Sequence, residues 1–397
     1  MFDIFSSANL KHLTVAPPLG EASKSIVTKD DYANAVTEIT SWENYAATPL
    51  ISLEELSKSL GINSVSYKQE APRFGLGSFK ALGGSYAGLR VIQRVLSKKL
   101  GKDISTSDIR KGIYSNEVAQ ITLISATDGN HGKSLSWGAQ MFGAQCRIYI
   151  HRDVSEGRAQ AIRDYGAVVV RVDGDYDASV DQARIDADEN GWFVVSDTSW
   201  EGYTQPPIDV MAGYGVMTSE IFEQMDTAPT HVFLQCGCGG LAAGVVASFR
   251  QLWKEAAPRV VIVEPELAPC LFESAKAGEK TDVKVHEETL MAGLSVGEPS
   301  GIAWQILSEE ASDYVTIPES LIAPTMRLLA YPLDGDAKIV AGESAIAGLA
   351  ALIAGAHQSP LRDALGLNSQ SRVLLIGSEG ATDPKIYEAL VNGSASN

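Results

Sequence analysis

From residue 121 onward, short runs dominated by apolar residues alternate with longer stretches whose apolar positions recur every three or four residues. The runs Ile121–Ser125, Cys146–Ile150, Val168–Val172 and Trp192–Ser196 are too short for helices. They predict strands buried on both faces of a sheet. Between them, Gly132–Phe142, Glu156–Tyr165 and Tyr176–Asn190 predict helices. The pattern resumes after Pro206 and Pro207 with a helix over Ile208–Met225, ended by Pro229. A strand His231–Gln235, a helix Gly239–Glu255 and strands Val260–Glu264 and Arg372–Ile376 follow. Such alternation predicts an α/β protein with mostly parallel sheets flanked by helices. The first 70 residues carry weaker signals, with a helix near Ser52–Leu60, and no internal repeat or low-complexity segment is present.

A chain of 397 residues favours two lobes over one core. The formal net charge is −17 with no clustered Lys or Arg, which argues against nucleic acid as a partner. Anionic ligands must then be held by local donors such as helix N-termini. The longest apolar stretch, Ala345–Ala356, is too short to span a bilayer and predicts a buried helix. No cationic start with an apolar run opens the chain, so no secretory leader is expected and the cytoplasm is the expected location. Cys146, Cys236, Cys238 and Cys270 match neither a disulfide framework nor a zinc site, and no histidine spacing suits a metal.

Five short elements carry candidate chemistry. In Arg73–Gly84, RFGLGSFKALGG, Lys80 follows a glycine-rich turn and stands beside Phe79 and Leu82. A nucleophilic lysine needs partial desolvation to supply a neutral amine, and these neighbours suit it. Ala126–Gly132, ATDGNHG, lies between a strand and a helix, where open α/β sheets place ligands. There Asp128 is a candidate base, Asn130 a donor to a phenolate oxygen, and Thr127 and His131 candidate lining. Gln235–Gly244, QCGCGGLAAG, suits a phosphate cradle, because glycines admit the anion and a helix start faces it. It also fits a relaxed dinucleotide fingerprint, with Glu264 as the ribose-binding acid. Ser196–Tyr203, SDTSWEGY, offers a second carboxylate, Asp197, with Trp200 and Tyr203 as pocket walls. In Gly377–Gly380, GSEG, Ser378 can hydrogen-bond a ring nitrogen.

In this order, the five elements resemble the fold-type II pyridoxal-phosphate enzymes, the tryptophan synthase β and threonine dehydratase group. Within that group the chain is most similar to the diaminopropionate ammonia-lyases, over about residues 30 to 390. The segments RFGL-x-x-FK-x-LGG, TDGNHG, DT-x-WEGY, IVEP, MAGL-x-x-GEP, GES-x-x-xGL and EG-x-TD carry the resemblance.

The resemblance implies a two-lobed fold. Residues 1–84 and 205–397 would form a large cofactor-binding domain, and 85–204 a small one. It implies pyridoxal 5'-phosphate as cofactor, held as a Schiff base by Lys80. The backbone of Cys236, Gly237, Cys238, Gly239, Gly240 and Leu241 would hold the phosphate, Asn130 the ring oxygen and Ser378 the pyridine nitrogen. Asp128 and Asp197 would take the Cα proton from the D- and L-isomers of 2,3-diaminopropionate respectively, with Thr127, His131, Trp200 and Tyr203 around the substrate. A base working near neutral pH implies a carboxyl whose pKa burial has raised. The implied reaction is β-elimination through aminoacrylate to pyruvate and two ammonia, by a homodimer acting on a small amino acid. Members of the family can carry a disulfide between the IVEP segment and a cysteine after MAGL. Here Cys270 stands at the first place but Ser295 and Val296 near the second.

Three other readings compete. A serine or threonine dehydratase would use the same cofactor without needing the two aspartates. A nicotinamide-dependent oxidoreductase would use the GCGG loop and leave Lys80 and ATDGNHG unexplained. The third is a binding protein that keeps the cofactor but has lost catalysis, and the intact lysine and acids argue against it.

Overall fold

The computed structural model describes residues 2–127, 129–174 and 176–393, the side chain of Asp177 excepted. Its strands, in chain order, are β1 (Lys11–Thr14), β2 (Leu50–Ser52), β3 (Ser64–Gln69), β4 (Thr122–Ala126), β5 (Gln145–Ile150), β6 (Val168–Arg171), β7 (Phe193–Val194), β8 (His231–Gln235), β9 (Arg259–Pro265), β10 (Asp313–Ile317) and β11 (Arg372–Gly377). They form a seven-stranded sheet ordered β1-β10-β9-β8-β11-β3-β2 and a four-stranded sheet ordered β6-β5-β4-β7. Every pairing is parallel except those of the edge strands β1 and β2. The predicted parallel α/β organisation is therefore present. The runs read from sequence fall on β4 to β9 and β11. The expected helix Ile208–Met225 is instead two helices, Gln205–Gly213 and Gly215–Gln224.

Two compact units are distinguished, Met1–Lys29 with Ala47–Ser78 and Met217–Asn397, and Asp30–Ala46 with Phe79–Val216. These limits differ from the domain division expected from sequence, chiefly because residues 30–46 join the second unit. Trp42 packs edge-on against Trp137 and Phe142, with centroids 5.9 and 5.8 Å away. Glu38 accepts hydrogen bonds from Trp42 Nε1 and Thr106 Oγ1 and pairs with Arg110.

In the first unit, the helix Ala347–His357 is buried from Ala347 to Ala356 and packs on β8, β9 and β10. It is the buried helix that the apolar run predicted. Strand β3 has only Val65 and Tyr67 as apolar residues, too few for the sequence pattern to predict it; the Lys68 ammonium in it lies fully buried among partners. Lys68 Nζ donates to Glu220 Oε2 at 2.7 Å and to the Thr48 carbonyl at 2.7 Å. Arg73 donates to both oxygens of Glu70, at 2.9 and 2.7 Å, and to both of Glu220, at 2.6 and 2.8 Å. Burial works to raise the Glu220 carboxyl's pKa, but the Arg73 and Lys68 charges and hydrogen bonds hold it below the usual range.

Breaking such a set leaves buried charge uncompensated. Arg73→Met is expected to cost about 3–5 kcal/mol of stability, read by equilibrium urea denaturation. A loss below about 1 kcal/mol would show that the carboxylates find other partners. The same cluster pins the turn that follows, where Phe74 takes a φ of 51° and the chain runs on towards Lys80.

In the second unit, the helices Lys80–Leu100 and Asn130–Phe142 pack closely through small residues. A Cβ at Gly138 would lie 2.8 Å from the Cα of Ser85, so a side chain there would force the helices apart. Ser134 Oγ donates to the Lys80 carbonyl at 2.6 Å, and Ser85 Oγ to the Ser134 carbonyl at 2.7 Å. These contacts hold the starts of the two helices at one end of the sheet.

Candidate active site

The strand order explains where the chemistry collects. From β4 the chain steps outward to β5 and β6, then returns to place β7 on the other side of β4. That reversal is a switch point, and loops leaving the carboxyl ends of such strands diverge to leave a crevice. The loop after β4 carries Thr127 and leads into the helix that begins with Asn130 and His131. Asp128, the expected base for the D-isomer, lies outside the described residues. The loop after β7 carries Asp197.

Lys80 opens its helix beside the ring of Phe79, its Nζ 5.4 Å from the ring centroid. Phe79 is itself buried against Tyr214. The Lys80 ammonium donates to Asp197 Oδ2 in a close ion pair, both side chains partly buried. His131 is buried, and its Nε2 lies 2.8 Å from the Val195 carbonyl. A carbonyl only accepts, so Nε2 carries the hydrogen and Nδ1 the lone pair. Burial, reinforced by the Lys80 charge, lowers the His131 pKa against the opposing influence of Asp197 and Val195, which keeps the ring neutral.

Asp197 departs from expectation. Burial does work to raise its pKa, but the Lys80 ammonium, through its charge and its hydrogen bond, and the residue's own backbone amide outweigh burial. The carboxyl is held well below the usual carboxylate range, opposite to the raised value expected for a base. The balance turns on the lysine's charge. Once Lys80 is no longer an ammonium, the largest lowering influence is gone and burial pushes the carboxyl upward.

The aromatic pair expected to wall the pocket is engaged within its own hairpin. Trp200 and Tyr203 stack at 3.9 Å with ring planes 7° apart, and the Arg184 guanidinium lies over Trp200. The Tyr203 hydroxyl donates to the Val194 carbonyl at 3.0 Å and accepts from the Ser196 amide at 2.9 Å. Tyr203 thereby anchors the Asp197 loop to β7.

The first unit repeats the switch. From β8 the chain steps outward to β9 and β10, while β11 lies on the other side of β8. The loop after β8, Cys236 to Gly239, runs into the helix Gly240–Trp253. Gly239 has a φ of +94°, and a Cβ at Gly237 would meet Val296 at 3.0 Å and the Gly293 carbonyl at 3.2 Å. The first N–H groups of a helix have no acceptor within it and sit at its positive end. A glycine cradle before these donors, formed by Gly237 to Leu241, fits a phosphate group. The Cys236 and Cys270 thiols are buried and held neutral by that burial, donating at 3.6 Å to the Leu234 and Gly237 carbonyls. None of the four cysteines is joined in a disulfide among the described residues.

Glu264, the acid on which a dinucleotide reading depends, is fully buried. Its two oxygens accept the Leu271 and Phe272 amides at 2.8 and 2.7 Å, capping the helix Cys270–Ala277. Burial pushes its pKa up to about 8 despite those amides. It therefore serves that helix and not a ribose.

Beyond β11, Ser378 is buried and its Oγ accepts from Gln235 Nε2 at 2.9 Å. The next residues pair with the approach to Lys80: Ser78 bridges Glu379, and the Gly380 amide donates to the Gly77 carbonyl at 2.9 Å. Glu379 Oε1 accepts the Ser344 amide, and Ser344 Oγ accepts the Gly293 amide. The GES and MAGL segments thus brace the loops around Ser378 and Gly237. Gln235 was missed from sequence, although a polar side chain closing a strand that is buried throughout was a signal for it.

The sequence profile of the family described as pyridoxal-phosphate dependent enzyme matches residues 42–379. The chain is similar to diaminopropionate ammonia-lyase of Escherichia coli strain K12, 37% identical over 355 residues and covering 87% of each chain. It is also similar to the crystal structure of the Escherichia coli diaminopropionate ammonia-lyase in complex with an aminoacrylate-PLP azomethine reaction intermediate. That match has a TM-score of 0.87 and 32% identity and covers 97% of both chains. Threonine deaminase isoform 2 from Solanum lycopersicum shares the fold, with a TM-score of 0.73 at 19% identity over 97% of both chains.

Proposed function

This chain belongs to the pyridoxal-phosphate dependent enzymes, and from that premise we propose that it is an ammonia-lyase converting 2,3-diaminopropionate and water to pyruvate and two ammonia. The observation that carries this reading is the close pair of Lys80 and Asp197, an amine and a carboxylate partly shielded from water. It is supported by 37% identity, over most of the chain, to an enzyme of that name.

When bound, pyridoxal phosphate supplies an electron sink for negative charge developing at Cα. The protein's own groups do the rest. Lys80 would hold the cofactor through its amine. The amides from Gly237 to Leu241, with the Cys236 backbone, would bind the phosphate, Asn130 the ring oxygen and Ser378 the pyridine nitrogen. An engaged lysine would no longer present an ammonium to Asp197, and burial would then ready that carboxylate to take the Cα proton of the L-isomer. Asp128 is assigned the same task for the D-isomer. Neutral His131, with Thr127, lines the substrate, and Trp200 and Tyr203 hold the Asp197 loop in shape.

Counting products tests the proposal. The lyase releases two ammonia for each pyruvate formed from diaminopropionate. One ammonia per pyruvate from serine, with no turnover of diaminopropionate, would instead establish a dehydratase. A cytoplasmic homodimer completes the proposal, with sedimentation of the purified holoenzyme as its test. Among the described residues no helix is long and apolar enough to cross a membrane.

A further inference from the structure

Gln235 ends β8 and is 2% exposed. Its Nε2 lies 2.7 Å from the Ile376 carbonyl and 2.9 Å from Ser378 Oγ. The Ile376 oxygen only accepts, so the amide group facing it must be NH2. Turning the amide over would set two acceptors against each other. One N–H is therefore committed to Ile376 and the other points at the serine. Gln235 Oε1 is left buried with no hydrogen-bond partner among the described residues, a costly arrangement for a polar atom. A hydroxyl has one hydrogen and two lone pairs. Having accepted from Gln235, Ser378 keeps its hydrogen to donate elsewhere.

We propose that Gln235 is a positioning residue that fixes Ser378 as a hydrogen-bond donor, so that the pyridine nitrogen facing the serine is held as an unprotonated acceptor. This rests on the assignment of Ser378 to that nitrogen. The strand order makes it possible: β8 and β11 are neighbours, so the last residue of one strand meets the residue just beyond the other. The consequence is chemical. An unprotonated ring withdraws electrons more weakly than a pyridinium, which favours expulsion of a β-substituent over prolonged storage of charge on the ring.

The test uses holoenzyme loaded with pyridoxal phosphate labelled with ¹⁵N in the ring, whose NMR shift reports protonation directly. The wild type is expected at the position of a neutral, hydrogen-bonded pyridine across neutral pH. Ser378→Ala should move the signal to that of a pyridine without a donor. Gln235→Glu presents an acceptor where Gln235 presents a donor, so it draws the serine hydrogen towards itself. Its signal should shift towards the pyridinium position, with pH-dependence as the new carboxylate titrates. Gln235→Met removes the donor without adding an acceptor and should broaden the signal between the two serine orientations. Elimination should fall about tenfold in kcat for Gln235→Met, the scale of one lost hydrogen bond.

If Ser378→Ala moves the resonance while both Gln235 variants leave it unchanged, Gln235 does not orient the serine and the proposal is overturned. If Ser378→Ala also leaves it unchanged, the assignment of Ser378 to the ring nitrogen fails, and the proposal fails with it. Thermal unfolding of each apo variant separates these outcomes from loss of the fold.

Discussion

Lys80→Ala is expected to lower kcat by at least about 10⁴-fold and to remove the visible absorbance of the bound cofactor. Two separate losses combine in this one substitution. The amine that would hold the cofactor disappears, and with it the charge that dominates the surroundings of Asp197. The second loss has a sign that can be read independently of turnover. Without the ammonium, burial is the largest influence left on Asp197, so its carboxyl should titrate higher in the variant than in the apo wild type. Carbon-13 NMR of labelled aspartate would follow that titration. A variant that still eliminates ammonia within tenfold of the wild-type rate would end the assignment of Lys80. An unchanged Asp197 titration would show that the ion pair is not what depresses it.

Asp197→Asn should reduce kcat for the L-isomer by about 10²–10⁴-fold, the range for removal of a general base, and change kcat for the D-isomer only a few-fold. The amide keeps the volume and hydrogen-bonding shape of the carboxylate but cannot take a proton at neutral pH. Asp128→Asn should give the converse pattern. Rates measured on each pure enantiomer decide the matter. Equal losses on both would mean that one carboxylate serves both faces, or that Asp197 acts only by holding Lys80.

Much of this site was legible as local pattern. The order of the glycine-rich loops, each between a buried strand and a helix, announced where ligand-binding backbone would lie. The cradle from Gly237 to Gly239 has the close approaches and the positive φ that such a loop requires. Where side-chain chemistry depended on a partner from a distant segment, local pattern was mute or misleading. Glu264 had the spacing of a ribose-binding acid, yet it caps a helix that begins six residues later. A raised pKa is expected of Asp197 because a base must work near neutral pH, whereas the ammonium beside it arrives from 117 residues away. For Trp200 and Tyr203, the stacking within one hairpin follows from the turn between them and was not legible in the spacing.

By itself the sequence determined the parallel α/β class, the positions of the strand-end loops and the residue types in them. These follow from periodicity and from glycine, which act over a few residues. Tertiary structure alone decided which loops face each other. Whether β7 returns beside β4, or β11 beside β8, depends on crossovers and packing spread far beyond any local window of the chain. No window of the chain contains that information. The pairing of Lys80 with Asp197 and of Gln235 with Ser378, and so the charge and hydrogen-bond direction each group carries, exists only once the strands are in order.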